Sequence, residues 1–134
     1  MKRRRGKSIE GACEVAYFDP KAVTAARKAV SEDDDLVADV AVSLRAIGHP
    51  ARLRLLLALD GRELCVCDCA QVLGGLLSGT SQHIKELRRV GAITYRAEGK
   101  MAYYRIADER WLALARSAIA IHATPPARAH SVRA

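Results

Sequence analysis

Apolar residues recur at helical spacing through most of the chain. The clearest stripe has side chains three and four positions apart, as on the packed face of a helix: Leu36, Val37, Val40, Leu44 and Ile47. Glycine is a poor helix former, and the residue before a proline disfavours helical geometry. The segment Gly48-His49-Pro50 is therefore expected to end this helix.

The same spacing and the flanking capping residues predict six helices in all. Asp19 and Asp108 are suited to cap a helix N-terminus, and Pro20 is suited to the first helical position. The predicted helices cover residues 20–31, 36–48, 51–60, 67–74, 76–91 and 109–122. The inward face of the fifth helix is expected to carry three apolar side chains: Leu77, Ile84 and Leu87.

Two short stretches alternate in character instead, which is typical of strands. AITYRAE and KMAYYRIA, residues 92–98 and 100–107, are joined at Glu98-Gly99. Helices followed by a hairpin and a last helix predict a mainly α fold with a small β-hairpin, the winged helix-turn-helix. In that fold the second of two helices joined by a glycine-containing turn enters the DNA major groove. The expected organisation is an N-terminal arm (1–18), one domain (19–122) and a flexible tail (123–134).

Charge adds a candidate partner to this fold. The chain of 134 residues has a formal net charge of +7. Residues 81–105 contain six basic side chains and only two acidic ones, which indicates a surface for a polyanion such as nucleic acid. The basic start MKRRRGKS is followed by EGACEVAYFDPK instead of an apolar segment, and no apolar run has membrane-spanning length. We therefore expect a cytoplasmic protein without membrane association.

Polar and basic side chains of the fifth helix and the hairpin are the candidate DNA contacts. Serine and glutamine can hydrogen-bond to base edges, whereas lysine and arginine neutralise phosphates or read guanine. Backbone amides at the start of the helix can also meet phosphate. The candidates are Gly79, Thr80, Ser81, Gln82, His83, Lys85, Arg88 and Arg89 in the helix, and Arg96, Lys100 and Tyr103 in the hairpin. A packed or capping role for His83 stays open.

Three of the four cysteines stand at alternate positions in ELCVCDCA, residues 63–70. In a reducing compartment they favour thiols or metal ligands over disulfides. In an extended stretch Cys65 and Cys67 point to the same side and can share one ion, whereas helical positions two apart cannot. A helix beginning at this point favours the thiolate form. Cys69 falls inside that helix, either as a buried core thiol or as a further ligand.

The motifs in this order carry a family resemblance. LRAIGHPARLRLLLAL, ELCVCD, S-x-H-I-x-x-L in SQHIKEL, and EGKMAYYRI resemble the ArsR/SmtB family of metal-responsive winged-helix repressors, and within it the cadmium- and lead-sensing CadC-like subgroup. The arm segment GACEVAYFDP resembles that subgroup's cysteine-bearing N-terminus. The resemblance implies a homodimeric repressor, not an enzyme. It implies binding to double-stranded operator DNA in the metal-free state, and release when a soft metal ion binds.

The resemblance also implies a set of metal ligands. The arm cysteine, Cys13, joins Cys65 and Cys67 in a three-thiolate site, and in the subgroup the arm comes from the other subunit. Such a site suits Cd(II) or Pb(II), with As(III) and Zn(II) as alternatives. Tyr17 stands where the subgroup often has a second arm cysteine. A second, zinc-type site on the last helix is expected to be lost, which leaves Asp108 as a helix cap.

Other interpretations of the cysteines stay open at this point. A thiol redox-sensing repressor would oxidise Cys65 and Cys67, although a disulfide between them would close a strained short ring. A metal-sequestering protein without a DNA function would not need the basic segment 81–105. A DNA-binding domain with inert core cysteines is the simplest case. The identity of the metal, the operator and the subunit that supplies the arm cysteine are not determined by the sequence.

Overall fold

The structure of the protein is a computed structural model that describes residues 8–9, 12–13, 17–30 and 33–126. The chain divides into two compact units, Met1–Ala38 and Asp39–Ala134. Most of the predicted arm and most of the predicted tail lie outside the described residues. Within the described part of the chain, no helix is both long and apolar enough to cross a membrane.

The first unit holds two short paired strands and a capped helix. Strand β1 (Ser8–Ile9) pairs antiparallel with β2 (Ala12–Cys13). Helix α1 (Pro20–Ala29) begins where the sequence predicts, because the carboxylate of Asp19 accepts hydrogen bonds from the backbone N–H groups of Lys21 and Ala22 at 3.0 and 3.3 Å. These bonds satisfy amides that have no partner within the helix.

Helix α2 (Asp34–Ile47) begins two residues before the predicted start. Asp33 accounts for the difference, since its carboxylate accepts from the backbone N–H groups of Asp35 and Leu36 at 2.8 and 3.1 Å. The apolar stripe of this helix is mostly not buried within the chain. Ile47 is buried, whereas the other four members are exposed: Leu36, Val37, Val40 and Leu44.

Four helices and a hairpin form the rest of the second unit, in the predicted order. The helices are α3 (Pro50–Ala58), α4 (Val66–Leu73), α5 (Leu77–Arg89) and α6 (Glu109–Ala123). The hairpin between α5 and α6 consists of β3 (Ile93–Glu98) and β4 (Met101–Ile106), paired antiparallel with Tyr95 opposite Tyr104. We call this hairpin the wing. Gly99 makes its turn at φ +61°, a conformation that suits glycine.

The core lies around α3, which packs against α4, α5 and α6. The leucine-dense sequence of α3 supplies Leu55 and Leu56, both fully buried, and Leu87 of α5 meets them. Each such leucine stabilises the fold by about 1.5–3 kcal/mol relative to an exposed position. This burial fixes α4 and α5 against one scaffold helix.

One predicted core residue of α5 is exposed. Ile84 and Leu87 are buried as expected, but Leu77, in the first turn, has 49% of its surface exposed. The stripe that contains all three is covered only from Thr80 onward. The helical period identifies the stripe, but it does not indicate how far along the helix the neighbouring elements extend.

Candidate functional site

Helices α4 and α5 form a helix-turn-helix pair. Helix α4 is capped at its C-terminus by Gly74, whose φ of +65° turns the chain, and α5 starts three residues later at Leu77. The two helices pack on each other and on α3. The second helix of such a pair is the one that reads DNA, and we call α5 the recognition helix.

The recognition helix turns most of its candidate contacts outward. The exposed candidates on this helix are Gly79, Ser81, Gln82, Lys85, Arg88 and Arg89. The opposite face is buried through Ile84 and Leu87. A helix with one packed face and one polar, basic face can enter a groove without losing its core contacts.

Thr80 does not belong to this exposed face, contrary to the prediction. Its side chain is 2% exposed, and its hydroxyl donates a hydrogen bond to the carbonyl oxygen of Leu76 at 2.9 Å. Its backbone N–H donates to the same carbonyl oxygen at 3.0 Å. Because both donors are engaged inside the protein, Thr80 positions the first turn of the recognition helix and offers no group to phosphate.

His83 is half-buried and is held by two residues outside the recognition helix. Its Nδ1 accepts a hydrogen bond from Nε of Arg52 at 3.3 Å, and its ring lies 4.5 Å from the ring of His49. Burial lowers the pKa of His83, and the neighbouring His49 and Arg52 lower it further. His83 therefore has the packed role that the sequence left open, through its Nδ1. Its Nε2 is the ring nitrogen that can contact DNA.

Two arginines at the end of the recognition helix have partners within the protein. The guanidinium of Arg88 lies 4.5 Å from the centre of the Tyr95 ring, which links the recognition helix to the wing. Arg89 forms an ion pair with Glu86, one turn earlier. Arg88 is thus held in a fixed direction by a stacking contact.

Of the wing candidates, Arg96 is the most constrained. Its Nε donates to Glu63 at 2.8 Å, and its Nη1 donates to Glu98 at 2.6 Å. The same guanidinium lies 4.9 Å from the centre of the Tyr103 ring. Lys100 is exposed at the turn of the wing. The structure therefore brings Arg96 and Tyr103 together and leaves Lys100 at the tip.

Cys65 and Cys67 flank the start of α4, and their arrangement differs from the predicted one. Cys65 is the extended N-cap residue and is buried, whereas Cys67 lies inside the helix and is exposed. The prediction of an extended pair is wrong because α4 begins at Val66. Asp68 favours this early start, since its carboxylate accepts from the backbone N–H of Cys65 at 3.2 Å.

Cys69 is a core residue in this structure. Its side chain is 0% exposed and packs with the leucines of the core. Burial raises the pKa of Cys69 to about 11, with smaller contributions from Cys65 and Asp68. A thiol with this pKa is protonated at neutral pH and is a poor metal ligand compared with a thiolate.

Cys13 lies in β2, and its side chain is outside the described part of the structure. Among the side chains that are described, no group of three or more His, Cys, Asp or Glu residues is arranged to hold a metal ion. The described donors at the start of α4 are thus two free thiols, Cys65 and Cys67. Soft ions prefer thiolate ligands, so the chemistry of these two thiols suits such an ion.

Asp108 has the capping role predicted for it. Its carboxylate accepts from the backbone N–H of Arg110 at 3.0 Å, at the start of α6, and also pairs with the Arg110 guanidinium. These contacts lower the pKa of Asp108 to about 2. A carboxylate engaged in this way is occupied with the helix terminus.

Sequence reasoning missed Glu63, Arg52 and His49. Glu63 contacts Arg96, and Arg52 contacts His83, across separations of 33 and 31 residues. The sequence predicts His49 only as part of a helix stop, whereas in the structure it is the N-cap of α3, and its Nδ1 accepts from the backbone N–H of Ala51 at 3.0 Å. No local pattern in one sequence connects positions so far apart.

Comparison with known proteins agrees with this architecture. The family pattern described as "Bacterial regulatory protein, arsR family" matches residues 49–95, from the start of α3 into the wing. A cadmium resistance transcriptional regulatory protein CadC homolog of Staphylococcus aureus is 35% identical over 99 residues, covering 72% of this chain and 79% of the relative. A transcriptional repressor SmtB homolog of Synechocystis sp. is 37% identical over 82 residues, covering 61% and 62% of the two chains.

A solved structure shows the same fold. The homodimeric winged helix-turn-helix DNA-binding domain of a Mycobacterium bovis protein is 29% identical, with a TM-score of 0.62, and covers 75% of this chain and 99% of that one. The relatives are transcriptional regulators and not enzymes. The helix-turn-helix, the wing and these similarities lead to one conclusion: the chain is a winged helix-turn-helix transcriptional regulator and belongs to the ArsR/SmtB family.

Proposed function

We propose that the protein is a homodimeric repressor that binds operator DNA in its metal-free form and is released when a soft metal ion binds Cys13, Cys65 and Cys67. The observation that carries the proposal is the position of Cys65 and Cys67 at the start of α4, the helix that leads into the recognition helix. The name of the cadmium resistance regulator among the relatives supports a metal-responsive regulator, and the name of the SmtB homolog supports a repressor.

The DNA-binding surface consists of the recognition helix and the wing. Ser81, Gln82 and Lys85 are exposed near the middle of the recognition helix, where side chains reach base edges and phosphates in the major groove. Arg88 is directed by its stacking on Tyr95, and Lys100 extends from the tip of the wing. Contacts from the wing to the backbone beside the major groove would complete the interface.

A second copy of the chain is the partner that the exposed apolar residues favour. Val40 and Leu44 of α2 are exposed one turn apart, and Leu114 and Ile121 of α6 are exposed two turns apart. Ile121 is 73% exposed, which is unusual for so large an apolar side chain unless another surface covers it. A two-fold dimer would present one recognition helix to each half of a palindromic operator.

The thiols supply the response. Exposed Cys67 can meet an ion from solvent, and Cys65 lies two residues before it at the end of an extended segment. Thiolate ligands select soft ions such as Cd(II) or Pb(II), and also suit As(III) or Zn(II). Joining Cys13 to Cys65 and Cys67 fixes the start of α4, which displaces the reading surfaces from successive grooves. Coupling between two sites is typically about 1–3 kcal/mol.

The direct test measures metal binding and DNA release together. DNA duplexes are first selected by the metal-free, reduced protein from a randomised pool. The protein–duplex complex is then titrated with Cd(II), Pb(II), As(III) and Zn(II), while thiolate-to-metal charge-transfer absorbance and the fluorescence anisotropy of the duplex are recorded. At least one ion is expected to release the duplex, with the absorbance rising in parallel.

Single substitutions separate the three ligands. Cys65→Ser, Cys67→Ser and Cys13→Ser are each expected to abolish metal-driven release while leaving metal-free DNA binding intact, and Cys69→Ala serves as the matched control. If Cys67→Ser leaves release unchanged, the proposed site is wrong. Release by hydrogen peroxide with a Cys65–Cys67 disulfide, and no release by metals, would instead indicate the redox-sensing alternative. Metal binding without selection of any duplex would indicate a sequestering protein.

A further inference from the structure

We propose that Glu63 is a positioning residue that connects the thiol segment, Glu63–Cys67, to the DNA-contacting arginine of the wing. In this proposal, metal binding at Cys65 and Cys67 weakens DNA binding partly by changing how the Glu63 carboxylate competes with phosphate for Arg96. The inference rests on the proposed function, since it concerns the route from the thiols to the DNA-binding surface.

The backbone joins the thiol segment to the wing directly. The N–H of Leu64 donates to the carbonyl oxygen of Tyr104 at 3.1 Å, and the N–H of Tyr104 donates to the carbonyl oxygen of Leu64 at 2.8 Å. This reciprocal pair makes Leu64 a one-residue third strand beside β4. Leu64 and Tyr104 both pack against the core. Cys65, the next residue, is thus one peptide away from a backbone attachment to the wing.

Side chains strengthen the same connection. Oε1 of Glu63 accepts from Nε of Arg96 at 2.8 Å, and Oε2 of Glu63 lies 3.9 Å from Nη1 of Arg105. Arg96 and Arg105 lie on different strands of the wing. One carboxylate therefore faces two wing arginines, and its own backbone is part of the thiol segment.

Arg96 is held in a way that makes Glu63 a competitor of DNA. Glu98 accepts a hydrogen bond from Nη1 of Arg96 at 2.6 Å, while the Tyr103 ring lies against the guanidinium. The Arg96 side chain is nevertheless 46% exposed, so a phosphate can approach it. A phosphate that binds Arg96 must share it with two carboxylates or replace one of them, because the guanidinium is already hydrogen-bonded at Nε and Nη1.

Of these two carboxylates, Glu63 is in the thiol segment and Glu98 is at the turn of the wing. A movement of Cys65 on metal binding shifts Glu63 relative to Arg96, because Leu64 is the single residue between Glu63 and Cys65. Glu98 lies on β3 with Arg96 itself and gains no such displacement. Glu63 and Glu98 therefore offer a matched comparison. Substitution of either by glutamine removes one negative charge beside Arg96, but only Glu63 belongs to the thiol segment.

The test compares the metal response of Glu63→Gln and Glu98→Gln with that of the wild-type protein. The measured quantity is the ratio of duplex dissociation constants with and without Cd(II), using the selected duplex. Both variants are expected to bind the duplex more tightly in the absence of metal, with a steeper salt dependence. The Cd(II) ratio is expected to fall about five-fold or more in Glu63→Gln and to stay at the wild-type value in Glu98→Gln.

A second measurement does not depend on DNA. The side-chain Nε–H resonance of Arg96 is expected to shift on addition of Cd(II) to the wild-type protein and to stay in place in Glu63→Gln, whose Cd(II)-thiolate absorbance remains. An unchanged Cd(II) ratio in Glu63→Gln, or an equal loss in both variants, would overturn the role of Glu63. If Cd(II) leaves the duplex dissociation constant of the wild-type protein unchanged, the proposed function itself is overturned, and this inference with it.

Discussion

Nε of Arg52, in the first turn of α3, donates a hydrogen bond to Nδ1 of His83 in the middle of the recognition helix, at 3.3 Å. Nη1 of the same arginine donates to the carbonyl oxygen of Ala46 at 2.9 Å, near the end of α2. One guanidinium thus joins three helices. Because Nδ1 of His83 accepts, the neutral ring carries its proton on Nε2, and that N–H is the donor that His83 can offer to DNA.

The first prediction concerns pH. The pKa of His83 is lowered in the folded protein by burial, His49 and Arg52, so the unfolded chain binds a proton more readily. The contribution of His83 to stability is therefore fully present above its ordinary pKa of about 6.5 and is lost as pH falls through the folded pKa. Urea unfolding from pH 8 to pH 5 is expected to show a steeper loss in the wild type than in His83→Gln.

The matched control for this experiment is His122→Gln, at the exposed end of α6. It is expected to keep the wild-type pH dependence between pH 8 and pH 5. Identical curves for the wild type and His83→Gln would contradict the assignment of the pH dependence to His83.

The second prediction uses one glycine inside α5 and one glycine just after it. Gly79 lies inside α5, and a Cβ added there meets no atom within 4 Å, whereas Gly91 follows the helix at φ +78°. Gly79→Ala is expected to raise the free energy of unfolding by about 0.5–1 kcal/mol, because it removes conformational entropy from the unfolded chain. Gly91→Ala is expected to lower it, since alanine is strained at that φ.

Gly79→Ala also tests whether Gly79 faces DNA. If the recognition helix approaches DNA closely at this turn, Gly79→Ala weakens duplex binding although it stabilises the fold. Urea unfolding and duplex titration on the same preparations check both effects. If Gly79→Ala is more stable and binds the duplex as tightly as the wild type, Gly79 is not part of the DNA interface.

The third prediction separates Cys69 from Cys67. Cys69→Ser places a hydroxyl in a fully buried apolar site and is expected to cost about 1–3 kcal/mol of stability. Cys67→Ser changes an exposed residue and is expected to alter stability by less than about 0.5 kcal/mol. Metal binding is expected to change in the opposite way: Cys67→Ser loses it and Cys69→Ser keeps it. Chemical unfolding and Cd(II)-thiolate absorbance of both variants measure this crossover, and loss of the absorbance in a folded Cys69→Ala protein would contradict it.

The fourth prediction concerns the dimer. Ile121→Glu introduces a charge at a position that is 73% exposed in the single chain. Its effect on the folded monomer is therefore small, but a charge without a partner in a dimer interface is costly. Analytical ultracentrifugation is expected to show a dimer for the wild type and for the control Ile121→Val, and a folded monomer for Ile121→Glu. A dimeric Ile121→Glu protein would place the interface elsewhere.

Much of the fold is predictable from local sequence. Asp19-Pro20 and Asp108 begin α1 and α6 as expected, and Gly99 turns the wing where Glu98-Gly99 predicts it. The leucines of α3 are at the centre of the core. Capping, helical spacing and turn geometry act within about four residues, so a single sequence is sufficient to read them.

The details of the candidate site depend on more than local pattern. Asp68 and the packing of α4 move the helix start ahead of Cys67, which separates a buried Cys65 from an exposed Cys67. Thr80 is buried because it lies on the packed face of α5 with Ile84 and Leu87, and its two donors close onto the carbonyl of Leu76, although its neighbours along the helix are exposed. A shift of one residue or one turn changes which side chains face solvent.

The sequence by itself determined the order of the helices, the wing between α5 and α6, and which cysteine lies deepest in a helix. The tertiary structure decided that Arg52 holds His83 and that Glu63 reaches Arg96, across 31 and 33 residues of chain. The physical reason is the range of the interactions. Periodicity and capping are properties of a few consecutive residues, whereas these hydrogen bonds exist only after α3 has brought α4, α5 and the wing together.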